Sequence, residues 1–316
     1  MRIDEIIKEK QGPVFSFEFF PPKTDEGEQN LRRTLSELKE LEPDFASVTY
    51  GAGGAARDRT LGITRWLKSS LGIEAMAHLT CVGASRDELS ATLAGLAQAG
   101  IENVLALRGD PPQGQSEWQP HPDGLSHSSE LARLIRAEHP AVCIGAACFP
   151  EVHLESSDPL SDLQYLREKV DSGVSFLITQ LFLDNEYYVR FVEAARFAGI
   201  EVPIIPGIMP ITNVTQIKTM SSMCGATIPP ALMAELEQRA EDPEAVVELG
   251  VAYATLQCAD LLAWGAPGIH FYTLNRSPAT RAILSALKLR EPWNGRGPEA
   301  GGGSLSARDH AHAARG

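Results

Sequence analysis

The sequence predicts an α/β protein folded as one (β/α)8 TIM barrel with extra helices before the eighth strand, and three observations carry that prediction. Short apolar runs rich in β-forming residues alternate with segments of helical period along most of the chain. The runs number eight, spread over about 290 residues, which suits a closed parallel barrel better than an open sheet. The residues just after each run are unusually polar, at the end of the strands where barrels of this kind keep their chemistry.

Taken in order, the strand candidates are residues 14–19, 45–49, 74–80, 103–107, 142–148, 176–180, 203–206 and 268–272. Helical periods follow at 28–41, 87–99, 160–172, 186–198 and 277–287, and two further helices, 230–241 and 243–265, stand between the seventh and eighth strands. Isoleucines at helical spacing also mark the first ten residues, which lack the continuous apolar core of a secretory signal. The barrel is expected to occupy 1–293. Residues 294–316, rich in Gly, Ala, Pro and Arg with stray His310 and His312, read as a disordered tail whose histidines are solvated.

Composition narrows the function classes. With 43% hydrophobic and 22% charged residues the chain resembles an ordinary soluble enzyme, and no run reads as the roughly 20 apolar residues of a membrane helix. A formal charge of -13 without clustered Lys and Arg argues against nucleic acid. Five cysteines, with no C-x-x-C pair among them, read as reduced and mostly buried thiols. A cytoplasmic address, no membrane partner and a homo-oligomeric state are the expectations.

Strand alternation places Ser16 and Glu18 on one face of the first strand and Phe15, Phe17 and Phe19 on the other. With the phenylalanines under the helices, Glu18 points into the barrel mouth. Two readings stand: burial without a cation raises its pKa and makes it a proton donor, or it is a structural glutamate paired with Arg or Lys. Asp110, between Gly109 and two prolines, is either a turn-forming residue or a carboxylate held at a strand end. Gly51-Ala52-Gly53-Gly54 lacks the spacing of a dinucleotide or phosphate loop. His78 stands without a ligand cluster and reads as a hydrogen-bonded neutral histidine, so no metal is expected.

Seven motifs, in order, then resemble methylenetetrahydrofolate reductases from about Phe15 to about Leu289. They are Phe17-Glu18-Phe19-Phe20-Pro21-Pro22, Ser47-Val48-Thr49-Tyr50-Gly51-Ala52-Gly53-Gly54, His78-Leu79-Thr80-Cys81, Leu107-Arg108-Gly109-Asp110, Pro150-Glu151-Val152-His153, Thr179-Gln180 and Phe271-Tyr272-Thr273-Leu274-Asn275-Arg276. The resemblance implies a barrel that binds FAD at its strand ends, takes electrons from NADH or NADPH, and supplies methyl groups for methionine synthesis. It makes Glu18 the catalytic acid and Asp110 a second catalytic group near flavin and pterin. It assigns Thr49, Tyr50, Ala52, His78, Arg108, Gly109, Asp110, Ser128, Phe149, His153, Asp162, Tyr165 and Lys169 to the flavin, with the nicotinamide as the alternative for Thr49 and Gln180 also near the nicotinamide. Asp110, Gln180, Gln216 and Arg276 fall to the folate. Some positions depart from the bacterial pattern: Phe149 stands for a common Tyr, Tyr165 and Glu168 for an Asn and an Arg, and Met220 for a stacking Phe. Glu168 would repel phosphate unless it turns away.

The resemblance implies ping-pong reduction of 5,10-methylenetetrahydrofolate to 5-methyltetrahydrofolate, the small-molecule folate being the one partner expected besides the donor. Two other readings predict different behaviour. A flavin-free barrel that transfers methyl groups would be colourless, and a non-catalytic folate- or flavin-binding subunit of a separate reductase would not turn over alone.

Overall fold

The computed structural model of the chain describes residues 1–22, 24–50, 54–110, 119–276 and 278–295, the side chains of 54–58 and 295 excepted. The expectations for Ala52, for Ser277 as a helix start and for most of the tail lie outside the described residues. The tail's first two positions, 294 and 295, complete a 3-10 turn, Pro292–Gly295, whose Trp293 packs on Phe15 with ring centroids 5.7 Å apart.

Parallel strands β1 (Val14–Phe19), β2 (Phe45–Val48), β3 (Glu74–Thr80), β4 (Asn103–Leu107), β5 (Cys143–Cys148) and β6 (Phe176–Thr179) pair in sequence order, and β9 (Gly268–Tyr272) pairs with β1. The seventh stave is not the single run expected at 203–206. It is two short pieces, β7 (Ile204–Ile205) bonded to β6 and β8 (Gly207–Ile208) bonded to β9. Pro206 between them has no N–H to give a ladder, so the chain changes neighbours there. That change closes the barrel: Pro206 O accepts from His270 N at 2.9 Å, and Gly207 N donates to Thr179 Oγ1 at 2.9 Å.

Two apolar layers follow from the alternation of the strands. Phe15, Phe17 and Phe19 lie in the shell between sheet and helices, in one cluster with Leu31, Leu35 and Leu38 of α2 (Asp25–Lys39). The inward residues Val14, Phe45, Met76, Leu105, Phe176 and Ile205 fill the barrel's lower half. Helix α1 (Ile3–Glu9) plugs that end, with Ile3 fully buried and its N–H donating to Asn103 Oδ1 at 2.8 Å.

The surrounding helices start on their capping residues. Ser85 and Glu88 form a capping box on α4 (Arg86–Gln98), after α3 (Gly54–Trp66), and Asp158 caps α6 (Pro159–Asp171), which has Pro at its first position. α5 (Ser128–Glu138) and α7 (Asn185–Phe197) complete the regular β/α units. Helix α8 (Val214–Cys224) ends in Gly225, left-handed at φ 70°. It joins α9 (Pro230–Gln238) and the start of α10 (Pro243–Trp264) in a third apolar cluster with Leu181, Leu183, Met209 and Ile211, which follow β6 and β8. The extra helices therefore wall one side of the barrel mouth.

Helix α10 corrects one expectation: at 22 residues and a mean hydropathy of 1.4 it is long and apolar enough to cross a bilayer. In this fold it buries Val246, Ala254, Cys258, Leu261 and Leu262, and packs against α7 and α11 (Pro278–Arg290). An apolar sequence here serves a helix wedged between other helices. All five cysteines are free thiols, four of them buried.

Candidate active site

Glu18 stands at the inner face of β1 with its side chain 20% exposed. Its Oε2 lies 3.4 Å from His78 Nε2 on β3 and 3.5 Å from His270 Nε2 on β9. The other nitrogen of His270, Nδ1, is 2.7 Å from Ser16 Oγ. His270 is wholly buried, stacked on Phe45 and meeting Tyr272 edge-on. Tyr272 in turn donates to Thr179 O at 2.6 Å, tying β9 to the end of β6.

These contacts correct the electrostatic expectation for Glu18. Its partners are two imidazoles, not Arg or Lys. Burial pulls its pKa upward, but the charge of His78 and the hydrogen bond and charge of His270 outweigh this and hold the carboxyl below its ordinary value. His78 is itself pushed down by burial, against the pull of Glu18. Among the described residues its Nε2 has only the 3.4 Å contact with Glu18 and no hydrogen bond, and the buried Ser47 Oγ and Thr80 Oγ1 have no hydrogen-bond partner. Two inward hydroxyls, on β2 and β3, are thus left unsatisfied among the described residues, an arrangement that costs stability unless a partner meets it.

Next to this cluster, β4 turns through Arg108, Gly109 and Asp110. Gly109 has φ +86°, and a Cβ there would sit 2.6 Å from Val82 Cγ1. Only glycine takes that turn without strain or collision. Arg108 makes a two-pronged ion pair with Glu155, its Nη2 2.7 Å from Oε1 and its Nη1 meeting Oε2. Hydrogen bonding to that carboxylate raises the Arg108 pKa and lowers that of Glu155. Asp110 is exposed at the rim.

The loop after β5 carries Phe149 and His153, whose rings meet edge to face with centroids 4.5 Å apart. Burial, with Arg108 nearby, lowers the pKa of His153. On α6, Asp162 Oδ1 accepts from Ser156 Oγ at 2.7 Å, while Lys169 donates to Ala147 O at 2.8 Å and is lowered by burial. Tyr165 is 59% exposed. Ser128 opens α5, half-buried. Thr49 bonds through its N–H to Phe19 O and through its carbonyl to Thr60. Tyr50 and His78 border a cavity of about 360 Å³ between α3 and α4.

Gln180 follows β6, its Oε1 accepting from Leu181 N at 2.8 Å. Gln216 sits in the first turn of α8, and Arg276 is exposed beyond β9. Direct contact unites Glu18 with His78, and Phe149 with His153; no such contact joins Gln216 or Arg276 to the others among the described residues. The reading of the strands missed the partnership of Ser16 and His270 with Glu18, although inward alternation on the last strand would have pointed to His270. It also missed Glu155, which no local pattern marks.

The family model for methylenetetrahydrofolate reductase matches residues 2–288 of this chain. The chain belongs to the methylenetetrahydrofolate reductase family. A 5,10-methylenetetrahydrofolate reductase of Escherichia coli (strain K12) is 39% identical over 290 residues, covering 91% of this chain and 95% of that protein. Methylenetetrahydrofolate reductase (NADH) 1 of Arabidopsis thaliana is 38% identical over 299 residues, covering 91% of this chain and 50% of its own length. The chain thus spans about half the length of the plant relatives it matches. Among solved structures, an uncharacterized protein from Clostridium thermocellum that binds two copies of 5-methyl-5,6,7,8-tetrahydrofolic acid superposes with a TM-score of 0.61 at 16% identity, over 91% of this chain and 98% of that one. That likeness shows the barrel fold. In this reductase-family barrel, Glu18 and Gly109, drawn from separate family motifs, both stand at the ends of parallel strands.

Proposed function

We propose that this chain reduces 5,10-methylenetetrahydrofolate to 5-methyltetrahydrofolate, using FAD and a nicotinamide donor in a ping-pong cycle. The observation that carries the reading is Glu18 held between two imidazoles in the mouth of a barrel of this family. The residues fit a flavin: Ser47 Oγ and Thr80 Oγ1 are buried hydroxyls without hydrogen-bond partners among the described residues, and Gly109 removes a side chain where the β4 turn passes close to Thr80 and Val82. Arg108, on release from Glu155, would add the positive charge that the phosphates of the cofactor require, and the ring of His153 and the Lys169 amine would add hydrogen-bonding groups beside it. When bound, the flavin supplies hydride chemistry that no side chain here can perform.

Glu18 has the part of the general acid. Its carboxylate is ionised in the free mouth, and a ring system entering that space expels water and pulls its pKa upward, toward the range where it can protonate a folate nitrogen. His78 and His270, each with Nε2 within 3.5 Å of Oε2, hold the carboxylate in place. Asp110, exposed after β4, together with Gln180, Gln216 and Arg276, binds and orients the pterin and its tail. One mouth serves donor and folate in turn, the basis of the ping-pong proposal. NADH is the donor we favour, because the plant relatives bear that name. A homo-oligomer in the cytoplasm is proposed as its working state.

The visible absorbance of the purified chain, supplemented with FAD, tests this directly. Flavin bands should bleach on anaerobic addition of NADH and return on addition of methylenetetrahydrofolate. A flavin that resists NADH but yields to NADPH would change the donor, and a chain that binds no flavin would overturn the reading.

A further inference from the structure

The loop after β5 contains a valine in a conformation that valine avoids. Val152 has φ +71°, in the left-handed region where a β-branched side chain collides with its own backbone. Such strain, of order 1–3 kcal/mol, persists only where surrounding contacts over-determine it. The contacts are visible. Val152 N donates to Phe149 O at 3.2 Å, closing the turn from within. Next to it, both carboxylate oxygens of Glu151 accept from Thr227 N, at 3.1 and 3.0 Å. Leu154 fills the space beside Gly225, where a Cβ would lie 2.7 Å from its Cδ2.

Thr227 and Gly225 follow α8, the helix whose first turn carries Gln216. The strained turn lies between Phe149 and His153. Glu151 therefore bridges the strand end read as meeting the flavin and the helix read as meeting the folate. Its pKa is raised by burial, so the grip on Thr227 is made at the expense of hydration.

We propose that Glu151 is a positioning residue that, through Thr227 N–H, locks Val152 in its left-handed turn and so fixes the flavin-contacting loop against α8. The inference rests on the flavin and folate reading for its consequence, but the lock itself is independent of any ligand. Four variants of the full chain test it: Glu151→Ala, Glu151→Gln, Val152→Gly and the double variant Glu151→Ala with Val152→Gly. Glycine takes the left-handed turn at no steric cost, so it should keep the turn when the bond is gone.

In the ligand-free chain, Glu151→Ala should speed hydrogen exchange at the Thr227 amide by about tenfold or more, and Glu151→Gln, which keeps an acceptor, by less. In FAD titrations followed by flavin fluorescence, Glu151→Ala should raise the Kd about tenfold, and the double variant should recover most of that loss. As a control outside those four, Glu42→Gly added to Glu151→Ala, which relieves a second positive-φ residue (φ 48°) after α2, should recover none of it. Unchanged Thr227 exchange in Glu151→Ala, or equal rescue by Glu42→Gly, would overturn the proposal. If Glu151→Ala does not fold, Glu151→Gln decides by the same two readouts. A wild-type chain that takes up no FAD would sink the functional reading alone, and the exchange measurements would still decide the lock.

Discussion

At the scale of single residues, the chemistry turns on Glu18 and the two histidines that face its carboxylate. Glu18→Gln should retain flavin and NADH oxidation with an external acceptor yet lose folate reduction by about 10²-fold or more, as measured by separate half-reactions. Unimpaired folate reduction would remove Glu18 from the role of acid. Asp110→Asn should also slow folate reduction while sparing NADH oxidation, and equal losses in both would place Asp110 elsewhere. The cluster also sets a pH dependence. The folded chain holds Glu18 below its usual 4.5 and His78 below its usual 6.5. In both cases the unfolded chain binds the proton first, so stability rises with pH. The Glu18 contribution is full above about 4.5 and is lost as pH falls through the lowered value; that of His78 declines as pH drops below 6.5. Thermal unfolding followed from pH 8 to 5 should show Tm falling below 6.5, and His78→Asn should flatten that fall.

At the scale of elements, barrel closure depends on one small residue. A Cβ at Gly207 would lie 2.4 Å from Thr179 O and 2.6 Å from the Tyr272 ring and hydroxyl. Backbone blocks one side and a buried tyrosine the other, so Gly207→Ala should destabilise the fold by about 1–3 kcal/mol. Denaturant unfolding measures this. A change under about 0.5 kcal/mol would mean that β8 shifts freely, and that the seventh stave is a looser seam than its bonds to β6 and β9 suggest. The same comparison explains why this stave was the least legible. Two residues on each side of a proline carry no alternation to read, whereas β1, β3 and β4 have five to seven residues and match the predicted spans.

At the scale of the whole molecule, a flavin that meets the unsatisfied atoms of the mouth should couple its binding to folding. At about 100 times its Kd, FAD would add about 2.7 kcal/mol and raise Tm by several degrees, readable by scanning calorimetry with and without the cofactor. An unchanged Tm at saturating FAD would contradict a built flavin site. Several site positions could be found only through their motifs, since Gln216 and Arg276 have neither alternation nor clustering to mark them. Tyr165, assigned on the same basis, lies well exposed on α6.

The chain's own order of residues determined the eight-stave barrel, the shell of phenylalanines and the inward aim of Glu18. Periodicity is a local property, and hydrophobic burial acts on it directly. Tertiary structure alone decided what Glu18 meets. His270 is 252 positions away in the chain and reaches the carboxylate only because the last strand closes onto the first. The sign of the Glu18 shift follows from that closure: burial by itself raises a carboxyl, and two imidazoles delivered from distant strands reverse it. The bonds of Arg108 to Glu155 and of Glu151 to Thr227 have the same origin, contacts between loops that no local pattern encodes.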